Sequence, residues 1–360
     1  MPALQAETKA ADDLAGRVVA WQRVHGRHGL PWQGTRDPYR VWLSEVMLQQ
    51  TQVATVLGYY GRFLERFPDV QALAAAPLDE VLALWSGLGY YSRARNLHRC
   101  ARAVVSQHGG RFPPSSQALA ALPGIGPSTA AAIAAFCFGE RAAILDGNVK
   151  RVLTRALGFD GDLAQPAHER QLWAFARALL PEEGVEGGVE AYTQGLMDLG
   201  AGVCTLRRPA CERCPLQDTC VARREARPQD FPVKTRRLKR GRRMHVLLWL
   251  RQGSRLWLVQ RPDTGVWGGL WSLPEWPADE ELTRRVARWP GEGEALPAIE
   301  HALTHFDWTL RPLRWTWPED LAAADQQALE AALPVGRWLT QAEALRLGLP
   351  APVRRLLTGA

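Results

Sequence analysis

Glu45 and Asp146 are the two residues whose type and setting most suggest a reaction. Glu45 falls within Val41-Trp42-Leu43-Ser44-Glu45-Val46-Met47-Leu48, where its neighbours are nearly all apolar. Desolvating a charged carboxylate costs on the order of several kcal/mol, so this placement has no cheap structural excuse. The plain structural alternative is a salt bridge to Arg40 or Arg62. An apolar setting raises a carboxyl's pKa and lets it keep a proton near neutrality, as a general acid must. Asp146 stands elsewhere, after Ile144 and Leu145 and before the flexible Gly147, with Asn148 and Lys150 close by. Such neighbours favour the ionised form. Two carboxyls set apart in this way can divide acid work from the stabilisation of a cation.

A second constellation is Cys204, Cys211, Cys214 and Cys220, spaced C-x6-C-x2-C-x5-C. This is too tight for a disulfide framework in a reducing compartment, so a metal or iron–sulfur site is the natural reading. Four thiolates can hold zinc tetrahedrally or a [4Fe–4S] cube, and spacing alone does not choose. Arg207, Arg208 and Arg213 lie within the same loops, where a bound group would fix them in a geometry suited to phosphates. Cys100 and Cys137 sit in apolar, helix-forming contexts and read as core.

The elements that must position these groups are mostly helical. Leu122-Pro123-Gly124-Ile125-Gly126-Pro127-Ser128-Thr129 is a turn signal in which Gly124 and Gly126 permit positive φ and close backbone approach to a ligand. Ser128 or Thr129 can then cap a helix over 130–138. The outward N–H groups of such a turn suit a phosphate. Apolar spacing predicts further helices over 14–24, from Pro38 to Gln49-Gln50, and over 64–76, 78–85, 94–108, 173–180 and 191–199. The tight connection Gly87-Leu88-Gly89-Tyr90-Tyr91-Ser92-Arg93 pairs aromatic with basic residues; adjacent tyrosines are usually core, but one beside arginines can wedge into a base stack.

No strand-like alternation precedes residue 240. Between 222 and 243 come Pro228, Pro232 and a run, 234–243, in which seven of ten residues are Lys or Arg. It reads equally as a solvated linker or as one touching a polyanion. From Met244 the period becomes two: strands, a Gln252-Gly253-Ser254 turn, a glycine-rich loop around Trp267-Gly268-Gly269, a helix over 279–289, strands over 305–317, and short helices near 322–332 and 340–345. We therefore expect a multi-domain chain with an all-α domain over 1–226, a basic linker over 227–243 and an α/β domain over 244–360.

At 360 residues there is length for two cores. A net charge of +7 and a pI near 9.3 suit a polyanionic partner without demanding one. Residues 1–14 carry Glu7, Asp12 and Asp13 with no apolar core, which argues against a signal peptide, and no run approaches a membrane span. A soluble, intracellular protein is expected.

Taken together, S-E-V-M-L-Q-Q-T-Q-V at 44–53, G-L-G-Y-Y-S-R-A-R-N-L at 87–97, the turn at 122–130, L-D-G-N-V-K-R at 145–151, the four cysteines and the α/β tail resemble the adenine DNA glycosylase (MutY) family. The resemblance implies an all-α helix-hairpin-helix glycosylase core of the endonuclease III superfamily with an iron–sulfur cluster loop, plus an α/β Nudix-like C-terminal domain for lesion recognition. It implies a monomeric, monofunctional DNA N-glycosylase of the bacterial cytoplasm, associated with the nucleoid. The implied substrate is double-stranded DNA in which adenine is mispaired with 8-oxoguanine or guanine. Glu45 stands where the family has its proton donor and Asp146 where it has the carboxylate that stabilises the transition state. Gln49, Gln50 and Tyr90 match residues that enter or flank the opened pair, Gln194 one that contacts the extruded adenine, and Asn148 one that orients Asp146. Gly124, Gly126, Lys150, Arg207 and Arg208 are expected on the DNA backbone, and Cys204, Cys211, Cys214 and Cys220 on a [4Fe–4S] cluster.

Three departures mark this chain. Where the family's lesion-reading motif is commonly Phe-Ser-His, Leu303-Thr304-His305 stands here, keeping a hydroxyl at Thr304 and His305 but losing the aromatic. Ser128 occupies a substrate-pocket position that is tyrosine in some relatives. The acidic R-E-x-x-E-E box that would hold Mg²⁺ in an active Nudix hydrolase is missing after Pro274, so the tail reads as a binding module. Two rivals differ in kind: a glycosylase/lyase for oxidised pyrimidines, which carries a Schiff-base lysine where Ser128 stands, and a non-catalytic iron–sulfur DNA-binding or redox-sensing protein, which would not need both a buried Glu45 and Asp146.

Overall fold

The computed structural model describes residues 2–183, 188–235, 240–277 and 279–359. Residues 236–239 of the expected linker, three of them basic, lie outside the described residues. The helices are α1 (Pro2–His25), α2 (Pro38–Leu48), α3 (Val53–Arg66), α4 (Val70–Ala75), α5 (Leu78–Leu84), α6 (Ser92–His108), α7 (Ser116–Ala120), α8 (Pro127–Phe138), α9 (Gly147–Leu157), α10 (Pro166–Ala178), α11 (Gly188–Asp198), α12 (Val221–Arg224), α13 (Asp279–Val286), α14 (Ala323–Ala331), α15 (Gln341–Ala344) and α16 (Ala351–Thr358). The strands are β1 (Gly241–Gln252), β2 (Arg255–Gln260), β3 (Trp271–Ser272), β4 (Glu275–Trp276), β5 (Glu292–Ala295), β6 (Ile299–Ala302), β7 (Phe306–Trp317) and β8 (Gly336–Thr340). No helix among the described residues is long and apolar enough to cross a membrane.

The chain packs into two compact units that do not follow chain order. One comprises Met1–Tyr60, Asp69–Gln71 and Arg99–Arg237; the other comprises Gly61–Pro68, Ala72–His98 and Leu238–Ala360.

The first unit is built on α8. Its residues from Ala130 to Ala135 are all buried, and small side chains let α2, α7 and α11 pack against it. Pro127 opens α8 in its first turn after Gly126, and Gly139, left-handed at φ 68°, closes it. The sequence reading put Ser128 or Thr129 at the cap; here the backbone of Gly126 takes that place with no side-chain bond. Ser128 instead accepts a hydrogen bond from the Leu145 N–H at 3.0 Å, tying the turn to the segment that delivers Asp146. Leu153 and Val149 of α9 are fully buried with Leu172, Leu196 and Val18 in this unit's core. Truncating one such leucine to alanine costs about 2–5 kcal/mol.

The second unit carries a mixed sheet ordered β3-β2-β1-β7-β5, with β4 on β1, β6 on β7 and β8 on β2. Its spine is the parallel pairing of β1 with β7, running from Gly241↔Phe306 to Gln252↔Trp317. Val246, Leu248, Leu250, Trp257 and Trp317 form a core against Leu282 and Val286 of α13. The segment around α5 and the start of α6 belongs to this unit through directed bonds. Tyr91 Oη donates to the Leu349 carbonyl at 3.0 Å, Arg354 Nε to Ser86 Oγ at 3.0 Å, and Trp271 Nε1 to Asp79 at 3.3 Å. The C-terminal helix α16, which supplies Arg354, has no counterpart in the sequence reading.

Candidate active site

A cavity of 1410 Å³ opens in the first unit, lined from α2, the start of α8, the start of α9, α11 and the 27–36 loop. Asp37 caps α2, its carboxylate accepting from the Tyr39 N–H at 2.9 Å, and Pro38 fixes the first turn. The helix that follows buries Trp42, Leu43, Val46 and Met47 and turns Glu45 and Gln49 toward the cavity. At the far side, Asp146 is the N-cap of α9, and its Oδ1 accepts from the Val149 N–H at 2.8 Å. Glu45, Gln49, Gln50, Ser128, Asp146, Asn148 and Gln194, separated by as much as 149 positions in sequence (194 − 45), thus line one space.

The two carboxyls differ as donors and acceptors. Among the described residues no ion pair holds Glu45, and Arg40 turns to Asp37 at 3.5 Å, so the salt-bridge alternative is not realised. Burial pushes the Glu45 pKa up to about 8, with the Asp146 charge adding in the same direction. Burial also raises Asp146, against the N–H groups of Val149 and Asn148 and the charges of Arg151 and Lys150, which pull it down. This corrects the expectation that its neighbours simply favour ionisation: the donors are present, but desolvation outweighs them. Of two close carboxyls, the one with the donors and cations releases its proton first.

Several expected contacts are made differently. Lys150 pairs with Glu169 on α10. The Asn148 side chain accepts from Arg151 at 2.8 Å, and Arg151 also reaches the carbonyls of Gly200 at 2.6 Å and Cys204 at 2.7 Å. Arg151 is therefore the cation that organises the start of α9, where the sequence reading named Lys150. A π-turn at Leu199–Val203 brings Gly200 so close that a Cβ there would lie 2.5 Å from Asn148 Cβ, which excludes a side chain. Gln49 Nε2 donates to Thr129 Oγ1 at 3.4 Å, and Gln50 adopts φ 58°, the left-handed region that a non-glycine residue rarely takes. Gln194 Nε2 donates to Asp198 at 2.8 Å, and Asp198, buried, also holds Arg27. Arg27 and Asp198 carried no distinguishing sequence signal, because only the folded contacts join Arg27, on the cavity wall, to Asp198 and Asp198 to Gln194.

The turn at 122–126 anchors buried Leu122 and Ile125 while leaving Gly124, at φ 77°, and Gly126 exposed. Arg207 and Arg208 are exposed in the cysteine loop. Cys204, Cys211, Cys214 and Cys220 line one small cavity together with buried Arg155, which donates to Cys204 Sγ at 3.3 Å and to the Thr205, Leu206 and Pro228 carbonyls. Burial, with the charges of the other thiolates, pushes the Cys214 thiol up to about 12, so four thiolates coexist here only around a compensating cation. The sulfurs share the cavity without meeting at a point: among the described residues no group of three or more His, Cys, Asp or Glu is arranged to hold a metal ion. The donor set and its enclosure fit a four-thiolate group.

The remaining site residues lie in the second unit. Tyr90, 44% exposed and at φ 49°, has its hydroxyl 3.2 Å from Thr304 Oγ1. Thr304 and His305 are exposed on the turn between β6 and β7. On α13, Asp279 is paired with Arg311 and Glu281 lies 3.8 Å from Arg285, and among the described residues there is no acidic cluster of the kind an Mg²⁺ box presents.

Comparison with known proteins gives the following. A model described as HhH-GPD superfamily base excision DNA repair protein matches residues 43–178, and a NUDIX domain model matches residues 245–359. The adenine DNA glycosylase of Buchnera aphidicola subsp. Acyrthosiphon pisum is 31% identical over 349 residues, covering 94% of this chain and 95% of the relative. That of Homo sapiens is 34% identical over 394 residues, covering 91% of this chain and 70% of the relative. A solved thermostable thymine-DNA glycosylase superposes with a TM-score of 0.53 at 28% identity, over 60% of this chain and 98% of that one.

Proposed function

The chain belongs to the adenine DNA glycosylase family, and on that premise we propose that it excises adenine mispaired with 8-oxoguanine or guanine, Glu45 acting as general acid and Asp146 as the ionised partner. The observation that carries this reading is the shared cavity, in which a carboxyl raised to about 8 faces one supplied with N–H donors. Adenine leaves poorly until it is protonated, and breaking its N-glycosidic bond leaves an oxocarbenium-like sugar. Glu45 holds a proton at neutrality and can give it to the purine; Asp146, fixed as a helix cap, can face the cation. The base must first leave the stack, at a cost of about a few kcal/mol offset by backbone contacts. The exposed turn at Gly124 and Gly126 supplies N–H groups for a phosphate. Gln49, Gln50, Ser128, Asn148 and Gln194 complete the wall that receives the base.

A [4Fe–4S] cluster held by Cys204, Cys211, Cys214 and Cys220 would supply a structural brace, presenting Arg207 and Arg208 to phosphates. On this reading metal analysis returns about four irons per chain. One zinc without labile sulfide contradicts it. We assign chemistry to 1–226 and reading of the opposite base to 244–360, through Thr304 and His305.

The reading is tested by single-turnover excision on a duplex carrying adenine opposite 8-oxoguanine. The expected product is an abasic site that breaks only under alkali, because Ser128 cannot form an imine. Absence of adenine release, or abundant protein–DNA adduct on borohydride trapping, overturns it.

A further inference from the structure

The turn that presents Thr304 is fastened from the strand entering the sheet. The Leu303 N–H donates to the Phe306 carbonyl at 2.9 Å and closes the turn; the Gly241 N–H donates to the His305 carbonyl at 3.0 Å. Arg240, one residue earlier, spans the same turn with a single nitrogen. Its Nη2 donates to the Leu303 carbonyl at 3.1 Å and to the carboxylate of Asp307. That nitrogen carries two hydrogens, and both are used, one before the turn and one just past it. Arg243 adds its guanidinium 4.2 Å from the centre of the Phe306 ring. Between these fastenings only Thr304 and His305 are left exposed.

We propose that Arg240 is a positioning residue: it sets the pose of the Leu303–Phe306 turn and so the strength of the preference for 8-oxoguanine over guanine. The inference rests on the reading that Thr304 meets the opposite base. A basic stretch before a DNA-reading domain would ordinarily be assigned to phosphates. Two of this arginine's five donors, both on Nη2, already go to a backbone carbonyl and a carboxylate. Side chains of the Arg240–Asp307 pair are 48% and 49% exposed, and exposed pairs contribute little to folding stability, so the role shows in recognition rather than in melting. A hydroxyl held in place reaches its partner without first ordering the turn, whereas a free turn must be ordered on binding.

The test uses the full-length chain and three variants, Arg240→Met, Arg240→Lys and Thr304→Val. Equilibrium binding is measured across a salt series on duplexes with a non-cleavable adenine analogue opposite 8-oxoguanine or guanine, beside single-turnover excision opposite guanine. Arg240→Met is expected to lower the 8-oxoguanine preference about three- to tenfold, the size of one directed hydrogen bond, with excision opposite guanine and the salt slope unchanged. Arg240→Lys, which keeps a cation for Asp307 and a donor for Leu303, is expected to retain most of the preference. Equal weakening on both duplexes, with a salt slope shallower by about one, marks Arg240 as a phosphate contact and overturns the inference. Loss of preference in Thr304→Val but not in Arg240→Met overturns the inference alone. Preference intact in both variants removes Thr304 as the reader, and the inference with it.

Discussion

Glu45 opens into a cavity walled by four helices and a loop, whereas Thr304 stands exposed on a turn whose backbone is hydrogen-bonded on each side. Around Glu45 the fold withholds partners: among the described residues no ion pair reaches it, and desolvation, with the Asp146 charge adding to it, lifts its pKa to about 8. Around Thr304 the fold supplies partners: Arg240 and Gly241 hold the carbonyls of its neighbours Leu303 and His305, and the Tyr90 hydroxyl lies 3.2 Å from its own, while the residue stays exposed. Enclosure changes what a group is chemically. Fastening an exposed group changes only where it is. The first region should govern rate, and the second should govern discrimination.

Glu45→Gln tests that division most strongly. An amide fills the same volume but has no acidic proton, so excision should fall about 10²–10⁴-fold with DNA binding largely kept. Near-normal single-turnover excision by this variant would remove Glu45 from the chemistry.

Asp146→Asn is the next largest change, because asparagine caps a helix as well as aspartate and leaves α9 in place. Losing only the charge should cost about 10²–10³-fold in excision rate with no change in helical content by circular dichroism. A variant that merely unfolds, or one that excises normally, breaks the assignment of Asp146 to the cationic sugar.

The pH profile separates the two regions without mutation. With Glu45 raised to about 8, excision should fall about tenfold per pH unit above that value, while the 8-oxoguanine preference stays level. The sign for stability follows from the same shift. The folded pKa lies above the ordinary value of 4.5, so the stability Glu45 contributes is complete below that pH and is lost as pH rises toward 8. The melting temperature of Glu45→Gln relative to wild type should therefore climb between pH 5 and 8 and then level off. A flat difference across that range contradicts the raised pKa.

The smallest effect is expected at the turn. Thr304→Val should reduce the preference for 8-oxoguanine about two- to tenfold, with excision opposite guanine unchanged. Leu303, in place of the usual aromatic, points to the lower end. A fall in rate opposite both bases would erase the contrast between the regions. Point substitution is the cleaner probe here, since deleting the α/β region would also strip Ser86, Tyr91 and Asp79 of partners that the C-terminal part supplies.

The sequence by itself determined the family and many of the elements, though not α16. Helix-forming composition after the Gly124–Gly126 turn marked α8, the shift to period two after Met244 marked the sheet, and the motif set carried the family resemblance that the relatives bear out. These are local or motif-level properties, written in neighbouring residues. Only the tertiary structure decided which donors reach which acceptors. Ser128 turned from a helix cap into an acceptor for Leu145, Lys150 went to Glu169, and Arg151 took the place beside Asn148. Residues 61–68 and 72–98 joined the unit of the C-terminal sheet, which no composition shift announced. Asp146 shows the physical reason most clearly. Its polar neighbours are adjacent in sequence, but the apolar bulk that desolvates it comes from elements distant in sequence, and a pKa is set by everything within reach in space.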